Sequence, residues 1–343
     1  MAVLFSAVTI TSDSDQAEFL VAGVPKSYAD LEGWTAFESF MNEVDTEQEI
    51  KVHVAACLYG EGEVFTATVT DRYWFKPEGS TAVYEDIRFK ENYFDQLALR
   101  GDPDSFSRKP SRTPELTNTG SFEKCWKLID GKWWMYKNGN DGELFSELFI
   151  CKLGEKLGLS MAHYEMDGEY IRSKDFTDGA SFNFEPMRSL VDDDEDYENC
   201  FNVLNAISPK IAQQYLTLIW MDSVCYNMDR HTENFGLLRD VKTGAILSLA
   251  PNFDNNIALI AKGYPTNVSR SGDGLIRFLR ELIQNCEDAR EMYQQMDLPQ
   301  ITESIINECL DEIPIEVDRS FIRDFILNGQ NVIVSSMRIV KKP

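Results

Sequence analysis

Two short segments limit what this chain can fold into: Asn227-Met228-Asp229-Arg230-His231-Thr232-Glu233-Asn234 and, downstream, Ala250-Pro251-Asn252-Phe253-Asp254. The D-x-x-x-x-N spacing puts Asp229 and Asn234 on one short loop, and Ile246, Leu247 and Leu249 read as a strand that returns Asp254 beside them. A fold that honours both segments must close a loop and a strand end around three oxygen-bearing side chains. Phosphoryl transfer from ATP uses such a set: one carboxylate orients the attacking hydroxyl, and an amide with a second carboxylate holds magnesium against the phosphates. Asp229 takes the first role. Asn234 and Asp254 take the metal, because Mg2+ prefers oxygen ligands.

The pattern Asn-x-Asp-Arg-His-x-x-Asn followed by Ala-Pro-x-x-Asp resembles the HipA-like serine/threonine kinases, bacterial relatives of the phosphatidylinositol-kinase fold, over about residue 111 to the C-terminus. The resemblance implies an α+β, bilobal kinase-like fold with a strand-rich N-lobe over 106–172, a mainly helical C-lobe over 173–343, and an accessory α+β region over 1–105. It also implies ATP and Mg2+ as cofactors, a Ser or Thr hydroxyl of a protein as acceptor, a toxin-like or growth-regulating role, and a small DNA-binding, antitoxin-like partner. A lipid or small-molecule kinase with the same residues is the alternative. A nucleotide-binding module without turnover is the non-enzyme reading, and the presence of all three catalytic groups argues against it.

In the family pattern a strand Lys and a helix Glu serve the α- and β-phosphates, and Lys137 and Glu147 match those positions. Thr119, Gly120 and Ser121 occupy the place of the phosphate loop, where backbone N–H groups cradle phosphate. Thr117 aligns with a self-phosphorylated serine of that loop, and Thr119 and Ser121 compete with it. Lys174, Asp175 and Phe176 fall by order at the linker between lobes, where adenine bonds to main chain.

Local patterns place these residues on elements. Cys125 to Ile129 and Lys132 to Lys137 read as strands joined at Asp130-Gly131, a hairpin signal. Apolar residues at helical spacing predict a helix over Asp141–Leu157, stopped at Gly158. Ala162–Met166 and Gly168–Arg172 read as strands. Ser208-Pro209 opens a further helix, with Ser as N-cap and Pro at the first helical position, and a buried Asp222 near its end is expected to brace the catalytic loop by accepting backbone N–H bonds. Helices over Gly274–Gln284, Pro299–Glu312 and Arg319–Met337 complete the chain. Upstream, the helical period of Tyr28–Val44 and two alternating runs divided by Gly60-Glu61-Gly62 give the accessory region its α+β character.

Composition excludes several classes. A formal charge of −24 over 343 residues repels phosphate polymers and anionic membranes, so direct nucleic-acid or membrane contact is not expected and basic proteins are the fitting partners. No apolar run reaches the roughly 20 residues a spanning helix needs. The first twenty residues hold no Lys or Arg, which argues against a signal peptide, and the seven scattered cysteines form no C-x-x-C pair. A reducing cytoplasm fits best. The acidic block Asp192–Asp196 reads as a solvated loop and His231 as a packed, hydrogen-bonded side chain. Lys262, Tyr264 and Arg270 lie in the place of an activation or substrate segment.

Overall fold

The structure is a computed structural model that describes residues 124–178, 181–191, 194–240 and 244–340, with four short strands before them. Thr117, Thr119, Gly120, Ser121 and the helix expected over Tyr28–Val44 lie outside the described residues. Upstream, β1 (Phe19–Gly23), β2 (Cys57–Tyr59), β3 (Glu63–Phe65) and β4 (Tyr73–Pro77) form two antiparallel pairs, β1 with β4 and β2 with β3. The second pair is the hairpin that Gly60-Glu61-Gly62 announces.

β5 (Lys124–Ile129) and β6 (Lys132–Lys137) then pair antiparallel with Ile129 opposite Lys132. Asp130 and Gly131 have φ of 50° and 74°, the two positive values that a two-residue turn needs to match strand twist. α1 (Asp141–Lys156) starts at a capping box: the Asn140 side chain accepts from the Glu143 N–H, and the Glu143 carboxylate accepts from the Asn140 N–H. It stops where Gly158 turns left-handed at φ 72°.

The remaining elements are β7 (Tyr164–Asp167), β8 (Tyr170–Lys174), β9 (Phe182–Pro186), α2 (Arg188–Val191), α3 (Tyr197–Ile207), α4 (Pro209–Cys225), β10 (Gly236–Asp240) and β11 (Ile246–Leu249). Four helices close the chain: α5 (Gly274–Asn285), α6 (Glu287–Gln295), α7 (Glu303–Asp311) and α8 (Arg319–Val340). Five of these elements, β9, α2, α3, β10 and α6, were not expected. β9, Phe-Asn-Phe-Glu-Pro, alternates apolar and polar side chains over only five residues and is half-buried along its length, and α6 buries only Ala289. α3 was hidden behind the acidic block, although Asp196 caps it by accepting from the Asn199 N–H. Ser208 does occupy the N-cap of α4, but its side chain makes no capping bond; its N–H instead closes α3 on the Leu204 carbonyl.

The chain divides into two compact units. The first comprises Met1–Asn138, Arg172–Glu185 and Leu237–Leu247. There the Arg172 guanidinium lies 4.3 Å from the Trp134 ring centroid and donates to the Tyr136 hydroxyl, and the sheet order β11-β10-β9 is tied by the Arg239–Glu185 ion pair. The second comprises Gly139–Ile171, Pro186–Gly236 and Ser248–Pro343, and is mainly helical. Its core gathers Phe145, Phe149, Phe201, Tyr215, Ile219, Leu279 and Phe325, all buried. Cys151 and Cys200 are buried thiols pushed up to about 12 by burial, the behaviour of small hydrophobes rather than reactive groups. Among the described residues no helix is long and apolar enough to cross a membrane.

Candidate active site

All three of the residues singled out first lie in the second unit, and one side chain that sequence reasoning did not assign holds their segments together. Arg230 is buried beneath the loop and is surrounded by acceptors. Its Nε and Nη2 form a bidentate pair with Asp222 at 2.9 and 3.0 Å, and Nη2 also reaches Asn252 Oδ1 at 2.7 Å and Asn255 Oδ1 at 2.8 Å. Nη1 donates to the carbonyls of Asn234 at 2.6 Å and Phe253 at 2.7 Å. One guanidinium therefore joins the end of α4, the loop that carries Asn234, and both neighbours of Asp254.

The role expected of Asp222 needs correction. At 1% exposure it does brace the loop, but its carboxylate takes side-chain bonds from Arg230 and Asn227, not backbone N–H groups. The physical reason is charge. A buried carboxylate needs a counter-ion, and the Arg three residues past Asp222's loop partner Asn227 folds back to supply it. Burial alone would depress the Arg230 pKa, yet the Asp222 charge and hydrogen bonds hold it above its ordinary value.

Within the loop, the Asn227 side chain accepts from the Asp229 N–H, and the Asp229 carbonyl accepts from both the His231 N–H and Asn234 Nδ2. The last bond, 2.9 Å long, fixes the Asn234 amide and turns its Oδ1 away as the remaining acceptor. His231 is half-exposed and takes a bond from the Glu233 N–H at its Nδ1, in keeping with a hydrogen-bonded structural His.

Asp254 sits at φ 59°, a left-handed conformation unfavourable for a residue with a Cβ. The conformation is held from all sides: the Asp254 N–H donates to the Tyr164 hydroxyl, the Asn255 N–H donates to Glu147 at 2.8 Å, and Arg230 grips residues 253 and 255. Such strain, over-determined by its surroundings, is typical of functional positions. α1 completes the clamp, because Ser146 Oγ donates to the Ala258 carbonyl and Gly142 lies against Ile260. A Cβ at Gly142 would stand 2.6 Å from the Ile260 carbonyl oxygen. Helix propensity favours Ala over Gly by roughly 1 kcal/mol, but that backbone collision is larger. Gly142→Ala is therefore expected to lose about 1–3 kcal/mol of stability in urea denaturation, as overpacked sites do. An unchanged midpoint would show that α1 is free to move off the segment.

The electrostatics bring the two carboxylates into one field. Burial raises the Asp229 pKa above its ordinary value, His231 and Arg230 oppose the rise, and the Asp254 charge adds to it. A carboxylate whose proton affinity is raised by a second carboxylate forms with it the kind of pair a divalent cation relieves. The donor set fits magnesium: one carboxylate and one oriented amide oxygen, all oxygen, with no sulfur or imidazole. Among the described residues no group of three His, Cys, Asp or Glu side chains is clustered for a metal, so phosphate oxygens and waters would have to complete the shell.

The other expected residues are placed as follows. Lys137 ends β6 in the first unit and is buried; Glu147 lies on α1 in the second, fully buried, with Oε1 on the Asn255 N–H. Lys174 ends β8, and the Asp175 N–H is committed to the Trp133 carbonyl while its carboxylate accepts from Thr177. Phe176 stands edge-on to Phe184 at 5.7 Å. Of the three unassigned residues, Arg270 is the informative one. It is buried, pairs with Asp273, and donates to the Ser223 and Val224 carbonyls that α4 leaves open at its C-terminus.

No protein-family model and no curated protein matches the sequence. Among solved structures, the Helicobacter pylori proinflammatory kinase CtkA superposes with a TM-score of 0.50 at 16% identity, covering 66% of this chain and 97% of that one. A complex of Shewanella oneidensis HipA with HipB and its operator DNA gives 0.47 at 14% identity, covering 79% of this chain and 77% of that one. Likeness at such identity speaks for architecture, and the architecture is mixed α+β with antiparallel sheets and helices. The chain therefore adopts a kinase fold of the kind that the resemblance to the HipA-like family implies.

Proposed function

We propose that the chain is an ATP- and Mg2+-dependent kinase that transfers the γ-phosphoryl group to a Ser or Thr hydroxyl of a protein. The observation that supports this most directly is the Arg230 network, which fixes Asn234 and the two neighbours of Asp254 on one guanidinium. Asp229 orients the acceptor hydroxyl; as the acceptor oxygen bonds to the γ-phosphorus, the bond to the β–γ bridging oxygen breaks and the hydroxyl proton passes to the Asp229 carboxylate. Asn234 Oδ1 and Asp254 would hold the magnesium, which supplies charge neutralisation at the phosphates. Lys137 and Glu147 are assigned to the phosphate end of the nucleotide, the Thr119–Ser121 loop to its phosphates, and the main chain around Lys174–Phe176 to its base.

Incubation of the full chain with labelled Mg-ATP and mixed protein substrates should give phosphoserine or phosphothreonine. Label appearing only in inositol lipids or small molecules would replace the acceptor, and absence of both transfer and ATP consumption would end the kinase reading. Loss of one metal ligand has a separate signature. Asp254→Ala should weaken Mg-ATP binding by roughly 10- to 100-fold or more, the range seen when groups supporting a metal are removed. Isothermal titration with and without EDTA reads it, since only the magnesium-dependent part of the affinity should fall.

A further inference from the structure

The second unit contains a cavity of about 680 Å³ beside Asp229, bounded by the loop residues Asn227 to His231, the start of α3, and α5. Its floor is apolar: Met228 and Phe278, 49% and 45% exposed, border it together with Leu275 and Leu282. Its rim is acidic. Five carboxylates line it, Glu195, Asp196, Glu198, Asp229 and Glu281, against one guanidinium, Arg230, whose N–H groups are taken up by the network beneath the loop.

Folding accounts for part of that charge. Asp196 is the N-cap of α3, Glu198 lies in its first turn where negative charge is favoured, and Glu281 is 3.8 Å from Arg277. It does not account for Glu195, nor for the absence of a hydrogen bond or ion pair to Glu195 and Glu198 among the described residues. Nor does it explain why two large apolar side chains stay exposed under the acidic rim. An occupant with a long apolar stem and a cationic head satisfies both features at once, with methylenes on Met228 and Phe278 and charge at the carboxylates. Nucleotide phosphates and anionic lipid headgroups are repelled from the same rim.

Resting on the kinase reading above, we propose that this cavity seats a Lys- or Arg-bearing segment of the acceptor protein, next to the hydroxyl presented to Asp229. The overall charge of −24 acts in the same direction at longer range by steering basic partners toward the molecule.

The test uses the full chain and two synthetic peptides that carry the same central serine, one flanked by arginines and one by glutamates. The wild type should phosphorylate the arginine peptide in preference, and fluorescence anisotropy should show it binding more tightly. In the variant Glu195→Gln/Glu198→Gln/Glu281→Gln the ratio of the two rates should fall by roughly tenfold, since each half-exposed ion pair is worth a factor of a few in affinity. Glu198→Lys should push the ratio further toward the glutamate peptide. The ratio is internal to each protein, so partial misfolding does not move it. Equal rates on both peptides, or a preference that survives the triple variant, overturns the proposal and leaves the kinase reading standing. Arginine-peptide binding that the triple variant loses, without any phosphate transfer, keeps the docking cavity and overturns the kinase reading.

Discussion

Arg230→Met is expected to lose about 3–5 kcal/mol of stability, the cost of removing one partner from a buried ion pair. Methionine fills much of the volume, so cavity formation is a small part of the effect. What decides it is the set of groups left behind. Asp222 would keep its charge at 1% exposure with only Asn227 to bond it, and the Asn234 and Phe253 carbonyls would lose their donor. A domain stable by about 5–15 kcal/mol can survive that loss only as a destabilised fold. Arg230→Lys separates charge from geometry: an ammonium keeps the charge but has three donors on a point, where six acceptors are spread over three segments. It should recover only a fraction. Adding Asp222→Leu to Arg230→Met should also recover only part of the loss, because the Asn234 and Phe253 carbonyls and the Asn252 amide oxygen still lose the Arg230 donor. Urea denaturation followed by tryptophan fluorescence measures all three variants. A midpoint for Arg230→Met within about 1 kcal/mol of wild type would remove the network from its organising place.

The candidate site was more legible in the sequence than its support. Asp229, Asn234 and Asp254 stand at fixed spacings around a four-residue strand, and spacing is legible. The Ile246–Leu249 strand and the α1 and α4 helices follow from periodicity and capping, and they formed within a few residues of where they were expected. Arg230 was not legible, because its acceptors come from residues 222, 234, 252, 253 and 255, and no local pattern says which of two adjacent residues, Asp229 or Arg230, turns inward. The one available signal was the coincidence of a buried-helix Asp222 with an Arg eight residues later. α6 was missed for the opposite reason: a surface helix with a single buried residue has almost no period to read. The run Asp254-Asn255-Asn256 lacks the glycine that the ordinary protein-kinase motif Asp-Phe-Gly carries at its third position. At the second position Asn255 is tied into the buried network, since its Oδ1 accepts from Arg230 and Asn227.

Asp229→Asn carries the largest expected effect on rate and the smallest on structure. The substitution keeps the shape of the side chain and leaves the loop bonds intact, because those run through the Asp229 backbone N–H and carbonyl. It removes the proton acceptor. A positioned general base is worth about 10²- to 10⁴-fold, so kcat should fall by that range while the Mg-ATP dissociation constant changes by no more than a few-fold. The stability effect has the opposite sign to that of Arg230. The Asp229 pKa is raised in the folded protein, so its ionised form is disfavoured there, and the contribution it makes is present at low pH and lost as pH rises through the folded value. At neutral pH the charge is therefore a cost to the fold, and a neutral amide should leave the melting temperature unchanged or higher. Rapid-quench single turnover, nucleotide titration and thermal melts together test the assignment. Full turnover in Asp229→Asn would strip Asp229 of its role as base, and a parallel loss of nucleotide affinity would move it to the metal. A variant that is silent, binds nucleotide and melts no lower than wild type is the signature of a group kept for chemistry at the expense of stability.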